Sequence, residues 1–245
     1  MDEHDFVVYH KGDDPALRKA ATQAQNTFKH FWYQVATDFN RIIPALEFAC
    51  VKAPFSDDFS DSDSPVEHMW IGEIDFDGVQ IHGTLLNIPN QLVYVQEGDT
   101  IRLPLLQLSD WLCVLDDQAY GGYSVQVLRS RMNAQERQRH DAAWGFNFPP
   151  PDSVLLPERS TEFEQVCQNL LVEQIAEDSA TITQTYEAGR TLLHLMSLYG
   201  RASSVRVLLN AGALPTAKCD RGWTPLDYAS SLGWDDVISE LQPVA

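Results

Sequence analysis

A 33-residue repeat in the last third of the chain is the feature that most restricts its fold. Gly189–His194 recurs as Gly222–Asp227, with glycine, threonine and leucine at the same places. In each copy a Gly-x-Thr-x-Leu turn opens a short helix, a second glycine ends it, and an apolar run forms a returning helix. The register holds in three further pairs: Gly200 and Gly233, Val205 and Ile238, Leu208 and Leu241.

These residues resemble ankyrin repeats. Upstream, Leu171–Ile175 followed by Asp178–Ile182 resembles the second helix and loop of an earlier, degenerate repeat. The resemblance implies an all-α stack with repeats at about 160–188, 189–221 and 222–245, and such stacks hold other macromolecules. Within it, His194 is interpreted as a turn residue that forms hydrogen bonds, not as a catalyst.

A run of three prolines, Pro149–Pro151, marks the expected boundary between two domains. A chain of 245 residues is long enough to form two cores. The prolines exclude helix and favour a stiff, extended connector. The sequence therefore predicts one domain over residues 1–152 and a second over residues 153–245.

The chain is acidic, with a formal net charge of −18. Basic and acidic residues number 11 and 23 up to Asp152, and 6 and 12 from Ser153 onward, which gives −12 and −6. This charge repels nucleic-acid phosphates and anionic membranes, so neither is an expected ligand. Basic proteins are the natural partners, although acidity that serves only solubility is the alternative interpretation.

Ten acids fall between Ala53 and Ile101, a segment without Lys or Arg. Like charges at this density raise the free energy of the folded chain unless a cationic partner offsets them. The segment therefore favours a partner with a basic surface. Its acids are Asp57, Asp58, Asp61, Asp63, Glu67, Glu73, Asp75, Asp77, Glu97 and Asp99.

The cysteines and the N-terminus give no sign of a metal, a cofactor or secretion. Cys50, Cys113, Cys167 and Cys219 are too widely spaced for a Cys-x-x-Cys site, and we interpret them as free, mostly buried thiols. Met1–Asp5 is acidic where a secretory signal is basic, and no apolar run approaches the ~20 residues of a membrane span. The sequence therefore predicts a cytoplasmic protein.

Two helices are expected at the ends of the first domain. Asp14–Pro15 supplies an N-cap and a first helical residue for a helix that runs to about Phe39. Asn133 and Glu136 form a capping box for a second helix that runs to Trp144.

Strand patterns between these helices predict a bent antiparallel sheet, and hence an α+β domain. Asp77–Gly78 is a strong hairpin signal between two of the strands. The predicted strands cover residues 48–51, 69–71, 79–83, 100–103 and 123–127.

A set of short motifs in this domain resembles the YegJ-like bacterial family over about residues 15–148. Ile88 departs from the family pattern, which usually has an acid between the Asn and the Pro. The resemblance therefore does not imply, for this chain, a ligand that the family binds through that carboxylate. The motifs are Glu67–Trp70, Gly83, Asn87 with Pro89, Gly98–Asp99, Ser109–Trp111, Gly121–Tyr123 and Arg129.

The best candidates for an active site are Glu67, His68, His82, Asp110 and Tyr123, which include a base and an orienting carboxylate. No catalytic or phosphate-binding motif supports them. The favoured interpretation is structural: a turn at Ser109–Asp110, core positions for Trp70 and Trp111, and a tight turn or bulge at Gly121–Gly122.

The segment Asp57–Pro65 alternates carboxylates in the manner of a calcium loop, but it lacks the central glycine and the closing bidentate glutamate. It is interpreted as a solvated loop that becomes ordered against a basic partner. No metal site is predicted.

The combination of the two domains resembles immunity proteins of bacterial toxin systems, including type VI secretion. This resemblance implies an antitoxin that binds its toxin one to one and occludes the active site of a DNase or other basic nuclease with an acidic surface. Aromatic anchors would slow dissociation. The predicted partner-binding residues are Asp57, Asp58, Asp61, Asp63, Glu67, Glu73, Asp75, Asp77, Tyr199, Trp223, Tyr228 and Trp234.

Two alternatives remain open. One is a cytosolic adaptor or scaffold that binds an endogenous protein through the ankyrin stack. The other is an enzyme that uses the region of Glu67 and His68.

Overall fold

The computed structural model describes residues 14–61 and 63–242. The chain divides into two compact units between Pro157 and Glu158, close to the boundary expected at the prolines. The acidic start Met1–Asp5, on which the prediction about secretion depends, lies outside the described residues.

Helix α1 (Pro15–Asp38) begins where the sequence predicts. Asp14 accepts the backbone N–H of Ala16 at 2.9 Å, and Pro15 occupies the first turn. The apolar side chains of α1 recur every three or four residues and therefore share one face. Buried members of that face are Ala20, Ala24, Phe28, Phe31 and Val35.

Six antiparallel strands form one open sheet in the order β4-β3-β2-β1-β5-β6. Strand β1 contains a register shift between Leu46 and Phe48, and β2 contains one between Gly72 and Asp75; such bulges bend a sheet. The strands are β1 (Leu46–Phe55), β2 (Glu67–Phe76), β3 (Gln80–Leu85), β4 (Thr100–Pro104), β5 (Asp110–Leu115) and β6 (Gln118–Gly121).

The sheet is covered on both faces. On one face, α1 packs through aromatic pairs, with Phe28 at 5.3 Å from Phe76 and Phe31 at 5.7 Å from Trp111 between ring centroids. Successive residues of a strand point to opposite faces. The second face therefore carries a separate cluster of Cys50, Trp70, Leu112, Val114 and Val125.

The prediction of a strand over residues 123–127 is wrong, because this segment lies in helix α2 (Tyr123–Arg131). Gly121 and Gly122 have φ of +75° and +69° and turn the chain sharply after β6. Asp110 then caps the new helix by accepting the N–H of Tyr123. The alternating pattern Tyr-Ser-Val-Gln-Val resembles a strand locally, but this tertiary cap decides the structure.

Helix α3 (Ala134–Trp144) confirms the predicted capping box at Asn133 and Glu136. The chain that follows remains attached to the sheet. Asn147 forms a bridge with Gln118, and beyond the three prolines Leu155 accepts the N–H of Gly121 at 3.0 Å.

The second unit consists of helical hairpins with the predicted register. Leu171–Ile175, predicted as the second helix of a degenerate repeat, belongs to the longer helix α4 (Thr161–Glu177). Helix α4 packs on α6, α5 on α7, and α6 on α8. The remaining helices are α5 (Leu192–Leu198), α6 (Ala202–Asn210), α7 (Pro225–Leu232) and α8 (Asp235–Leu241).

A close approach between the two full repeats requires glycine at position 200. Gly200 has φ of +72°, and a Cβ atom there would lie 2.5 Å from the Trp234 ring. The indole N–H of Trp234 donates to the carbonyl of Leu198 at 3.1 Å. The repeat glycine therefore both ends α5 and admits a tryptophan from the next repeat.

All four cysteines are free, and Cys50, Cys113 and Cys219 are buried, as predicted. Burial raises the pKa of Cys113 to about 12. Among the helices of the described residues, none has the length and apolar character needed to cross a bilayer.

Candidate partner-binding surfaces

The structure separates the two histidines of the predicted active site. His68 is the second residue of β2, whereas β3 places His82 opposite Asp75. Asp75 is seven positions further along the strand than His68, or roughly 20 Å. His68 instead lies with its Nδ1 atom 2.9 Å from the Ser109 hydroxyl. His68 and His82 therefore do not form a common site.

Glu67 and Tyr123 have structural partners. The fully buried carboxylate of Glu67 accepts the backbone N–H groups of Asn90 and Gln91, at 2.9 and 2.6 Å, and so fastens the loop between β3 and β4. The Tyr123 hydroxyl lies 2.7 Å from that of Thr27 on α1. The prediction that Glu67 contacts a partner is wrong, because its side chain is enclosed.

Asp110 is a buried cap for helix α2. Its Oδ1 accepts the N–H groups of Trp111 and Tyr123, and its Oδ2 accepts the N–H and the hydroxyl of Ser124. Burial raises the pKa of Asp110, while the nearby Lys52 and these donors lower it. Because both oxygens accept hydrogen bonds, the site fits the carboxylate form.

Lys52 is the cation that faces this carboxylate. The two residues are register partners on β1 and β5. The ammonium group lies 3.4 Å from Ser124 Oγ and 4.5 Å from the centroid of the Trp70 ring. Burial lowers the pKa of Lys52, and the charge of Asp110 opposes that shift. The pair is internal to the fold, which is the arrangement of a structural ion pair.

The acidic loop, residues 56–66, presents carboxylates to solvent between β1 and β2. Asp57 fastens it by accepting the N–H groups of Val93 and Tyr94. Asp58, Asp61 and Asp63 are exposed. In the part of the chain that the structure describes, no three His, Cys, Asp or Glu side chains form a group that could hold a metal ion.

A second group of acids lies where β2 meets β3. Glu73 and Asp75 are exposed, and Glu73 has φ of +52° in the bulge of β2. The Thr84 hydroxyl donates to Glu73 at 2.6 Å. Asp77 accepts the N–H groups at the start of β3 and so holds the predicted hairpin turn. Glu73 and Asp75 are therefore more accessible to a partner than Asp77.

Two of the four aromatic anchors predicted in the repeats are buried. Tyr228 is 2% exposed and Trp234 is 1% exposed, each packed within the stack. Tyr228 lies edge-on to Trp223 at 5.2 Å between ring centroids. The prediction that Tyr228 and Trp234 contact a partner is therefore wrong. Tyr199 and Trp223 are half-buried and retain exposed surface.

His194 has the structural role that the sequence indicates. The Thr191 N–H donates to its Nδ1 at 3.0 Å, and its Nε2–H points at the carbonyls of Ala217 and Trp223, each at 3.1 Å. These partners fix the neutral tautomer with the proton on Nε2. Burial lowers the pKa of His194 because the neutral form is preferred.

Sequence reasoning did not predict a cleft of about 460 Å³ on the second face of the sheet. We call it the aromatic cleft. The only local signal was the aromatic spacing of Trp144, Phe146 and Phe148 after α3. The described lining residues include one acid and no Lys or Arg: Glu47, Phe48, Trp70, Leu86, Asn87, Val114, Ala143, Trp144, Gly145 and Phe146.

An ion-pair network fixes one wall of the aromatic cleft. Buried Arg129 donates to both carboxylate oxygens of Asp141, at 2.8 and 2.7 Å, and to the carbonyl of Pro149. The Trp144 indole donates to Nε2 of His140, so the other ring nitrogen carries the proton and donates to Asp141. Burial raises the pKa of Asp141, but the hydrogen bonds from Arg129 and His140 outweigh this effect, so that the pKa lies below its usual value.

Two known families match this arrangement of domains. The family described as "Uncharacterized protein conserved in bacteria (DUF2314)" matches residues 14–148. Ankyrin repeats match residues 176–229. These ranges confirm the two resemblances carried by the sequence motifs.

One relative matches nearly the whole chain, and two others match parts of it. A protein of Neisseria meningitidis serogroup B, named as an ankyrin repeat protein, is 37% identical over 250 residues, or 98% of each chain. YegJ of Escherichia coli K12 is 28% identical over 78 residues, covering 32% of this chain and 48% of YegJ. Glycerophosphocholine phosphodiesterase gde1 of Schizosaccharomyces pombe is 28% identical over 139 residues, covering 54% of this chain and 11% of that protein. No solved structure matches.

Proposed function

This chain belongs to the bacterial DUF2314 family and continues into ankyrin repeats, and on that premise we propose that it is a cytoplasmic immunity protein that neutralises a secreted toxin. Ankyrin repeats imply protein partners in general. The proposal goes further in naming the partner as a cognate toxin with a basic, nuclease-like surface.

The observation that carries the proposal is the concentration of exposed carboxylates in a segment without cations. Asp58, Asp61 and Asp63 project from the acidic loop, and Glu73 and Asp75 lie on the same unit. The hydrogen bonds that these carboxylates form are with nearby residues and not with the core. Their charges therefore face solvent. A basic active-site cleft is a complementary surface for such a group.

The mechanism we propose is occlusion. Carboxylates steer the toxin into contact and pair with cleft Lys and Arg, which excludes the nucleic-acid phosphates that would otherwise bind there. Tyr199 and Trp223 supply aromatic surface on the ankyrin stack, where such residues contribute most to slow dissociation. We propose a one-to-one complex with the toxin, formed without a cofactor, a metal or nucleic acid.

The test begins with co-expression of this chain and the product of any adjacent toxin gene. Rescue of growth and recovery of a stoichiometric complex support the proposal. Recovery of only endogenous regulatory or metabolic proteins, with no rescue, overturns it in favour of the adaptor.

Matched variants then examine the electrostatic part. We expect Asp58→Asn, Asp61→Asn and Asp63→Asn together to slow association about tenfold at low salt, because asparagine keeps the local acceptor and removes the charge. Neutralising Glu162, Glu173 and Glu177, three exposed acids of α4, is the control for net charge. Equal effects of both sets, or association that is indifferent to salt, would contradict the acidic-surface mechanism.

A further inference from the structure

We infer that Cys167 is an oxidation site, at which a hydroperoxide converts the thiol to a sulfenic acid whose anion Arg201 binds. Cys167 lies on α4, and Arg201 immediately precedes α6, so both belong to the second unit. The inference goes beyond the proposed function, because it concerns the chemistry of one thiol and does not depend on which protein the chain binds.

Arg201 is a buried cation whose donors are mostly unused. The residue is 3% exposed. Its Nη1 donates to Cys167 Sγ at 3.2 Å, whereas its Nε and Nη2 have no hydrogen-bond partner. None of the ion pairs among the described residues includes it. A guanidinium stays charged in proteins, and a buried charge is normally paired. The site therefore contains donors for an anion that the reduced chain does not supply.

The surroundings of Arg201 offer little compensation for its charge. The guanidinium lies 5.5 Å from the centre of the Phe163 ring, which attracts a cation weakly. The sulfur of a thiol is only a weak hydrogen-bond acceptor. An oxygen anion bound to that sulfur would be a much better partner, since charge-assisted hydrogen bonds are roughly twice as strong as neutral ones.

The repeat architecture does not explain why a cation occupies this position. Arg201 is the N-cap residue of α6, and Trp234, 33 positions later, is the N-cap residue of α8. Trp234 is 1% exposed, so the stack accepts an apolar ring where the preceding repeat has arginine. Packing of the repeats therefore requires no charge at position 201, and its contact with the sulfur of Cys167 is the specific feature.

Cys167 is also the accessible thiol of the chain. It is half-buried, whereas Cys50, Cys113 and Cys219 are buried. Reactive cysteines typically lie in partly exposed surroundings beside a cation. Of the four thiols, Cys167 alone combines partial exposure with a hydrogen bond from a guanidinium. A small hydroperoxide can therefore reach this sulfur and is excluded from the other three.

The reaction is a two-electron oxidation of the sulfur. The sulfur attacks one oxygen of the hydroperoxide, the S–O bond forms as the O–O bond breaks, and the leaving oxygen takes the proton of the thiol. The sulfur is oxidised to a sulfenic acid, and the hydroperoxide is reduced to an alcohol, or to water if it is hydrogen peroxide. The sulfenic acid then releases its proton to solvent, and its oxygen accepts hydrogen bonds from Arg201.

The test treats the full chain with hydrogen peroxide and traps sulfenic acid with dimedone, followed by mass spectrometry of each cysteine. We expect the adduct at Cys167, with Cys219, which is buried in the same unit, unlabelled. Without dimedone, oxidation should slow hydrogen exchange at the start of α6 about tenfold, because Arg201 gains a charged partner. Dithiothreitol should reverse this change, since sulfenic acid is a reversible product.

Variants separate the role of Arg201 from simple accessibility of the thiol. Arg201→Gln should slow formation of the adduct about tenfold and abolish the change in exchange on oxidation. Arg206→Gln removes an exposed cation of α6 that pairs with Glu240, and it should leave both unchanged. Labelling of Cys219 would report that a variant has loosened the second unit. In that case Arg201→Lys, which keeps the charge with fewer donors, should react about threefold more slowly than the unmodified sequence.

Three results would each overturn the inference. One is labelling spread evenly over the four cysteines of the folded chain. Another is equal rates of adduct formation in the Arg206→Gln variant and in the Arg201 variant that keeps Cys219 unlabelled. The third is hydrogen exchange at the start of α6 that stays the same after Cys167 has been oxidised.

Discussion

Replacing Asp110 with Asn should destabilise the first unit far more than replacing Lys52 with Met. Asp110→Asn leaves the Lys52 ammonium buried with only Ser124 Oγ, at 3.4 Å, and the Trp70 ring as polar contacts. Removing one member of a buried pair costs about 3–5 kcal/mol, and we expect about 4 kcal/mol here. That is a large part of the 5–15 kcal/mol that typically stabilises a domain.

Lys52→Met should cost less, about 2 kcal/mol, because the carboxylate keeps all four of its hydrogen-bond donors. In the double variant no uncompensated ammonium remains, so the combined cost should be about 3–4 kcal/mol and less than the sum of the two. The resulting coupling of about 2–3 kcal/mol marks a direct interaction.

Hydrogen exchange measured by mass spectrometry is the suitable assay, because the two units need not unfold together. The free energy of opening is followed in peptides from β1 and β5. Lys19→Met, at an exposed position on α1, is the control and should change it by less than about 0.5 kcal/mol. Additive costs would refute the pairing. If Asp110→Asn abolished an enzymatic activity of the protein while hydrogen exchange stayed unchanged, that result would instead support the enzyme hypothesis.

The remaining predictions concern the ankyrin stack. The folded pKa of His194 lies below its unfolded value, so stability is present above the unfolded pKa, about 6.5, and falls as pH decreases toward the folded pKa. Hydrogen-exchange protection of α5 should therefore drop between about pH 7 and pH 5. If a His194→Gln variant showed the same drop, the titration of His194 would not be its cause. Gly200→Ala should cost about 2–4 kcal/mol, since it combines a positive φ with a clash against Trp234. Gly212→Ala, also at positive φ but with open space, should cost only about 1 kcal/mol by the same assay, and equal losses would contradict the clash.

The sequence predicted the elements that local signals specify. Asp14 and Asn133 each cap the helix expected of them, and the 33-residue register places both repeat hairpins. The prediction of a strand over residues 123–127 failed because the residue that caps helix α2, Asp110, lies 13 residues upstream of Tyr123. A distant carboxylate cannot be inferred from a five-residue alternation.

The candidate contact surfaces were less predictable for a related reason. Residue type alone does not distinguish a carboxylate that fastens a loop, as Glu67 does, from one that faces solvent, as Asp63 does. The same ambiguity made Trp234 appear to be an anchor. The aromatic cleft was missed because Phe48 and Trp144 are almost a hundred residues apart and meet only after the sheet has formed.

The attachment of Leu155 to Gly121 affects how the protein can be divided for study. A fragment cut at the three prolines, as composition suggests, would discard the acceptor for the N–H of Gly121 at the turn into α2. The cut would therefore expose the edge of β6. This edge lies beside the turn whose amides donate to Asp110, a member of the buried ion pair with Lys52. A first-domain fragment should therefore extend through Pro157. The three prolines are better regarded as part of the first domain than as its boundary.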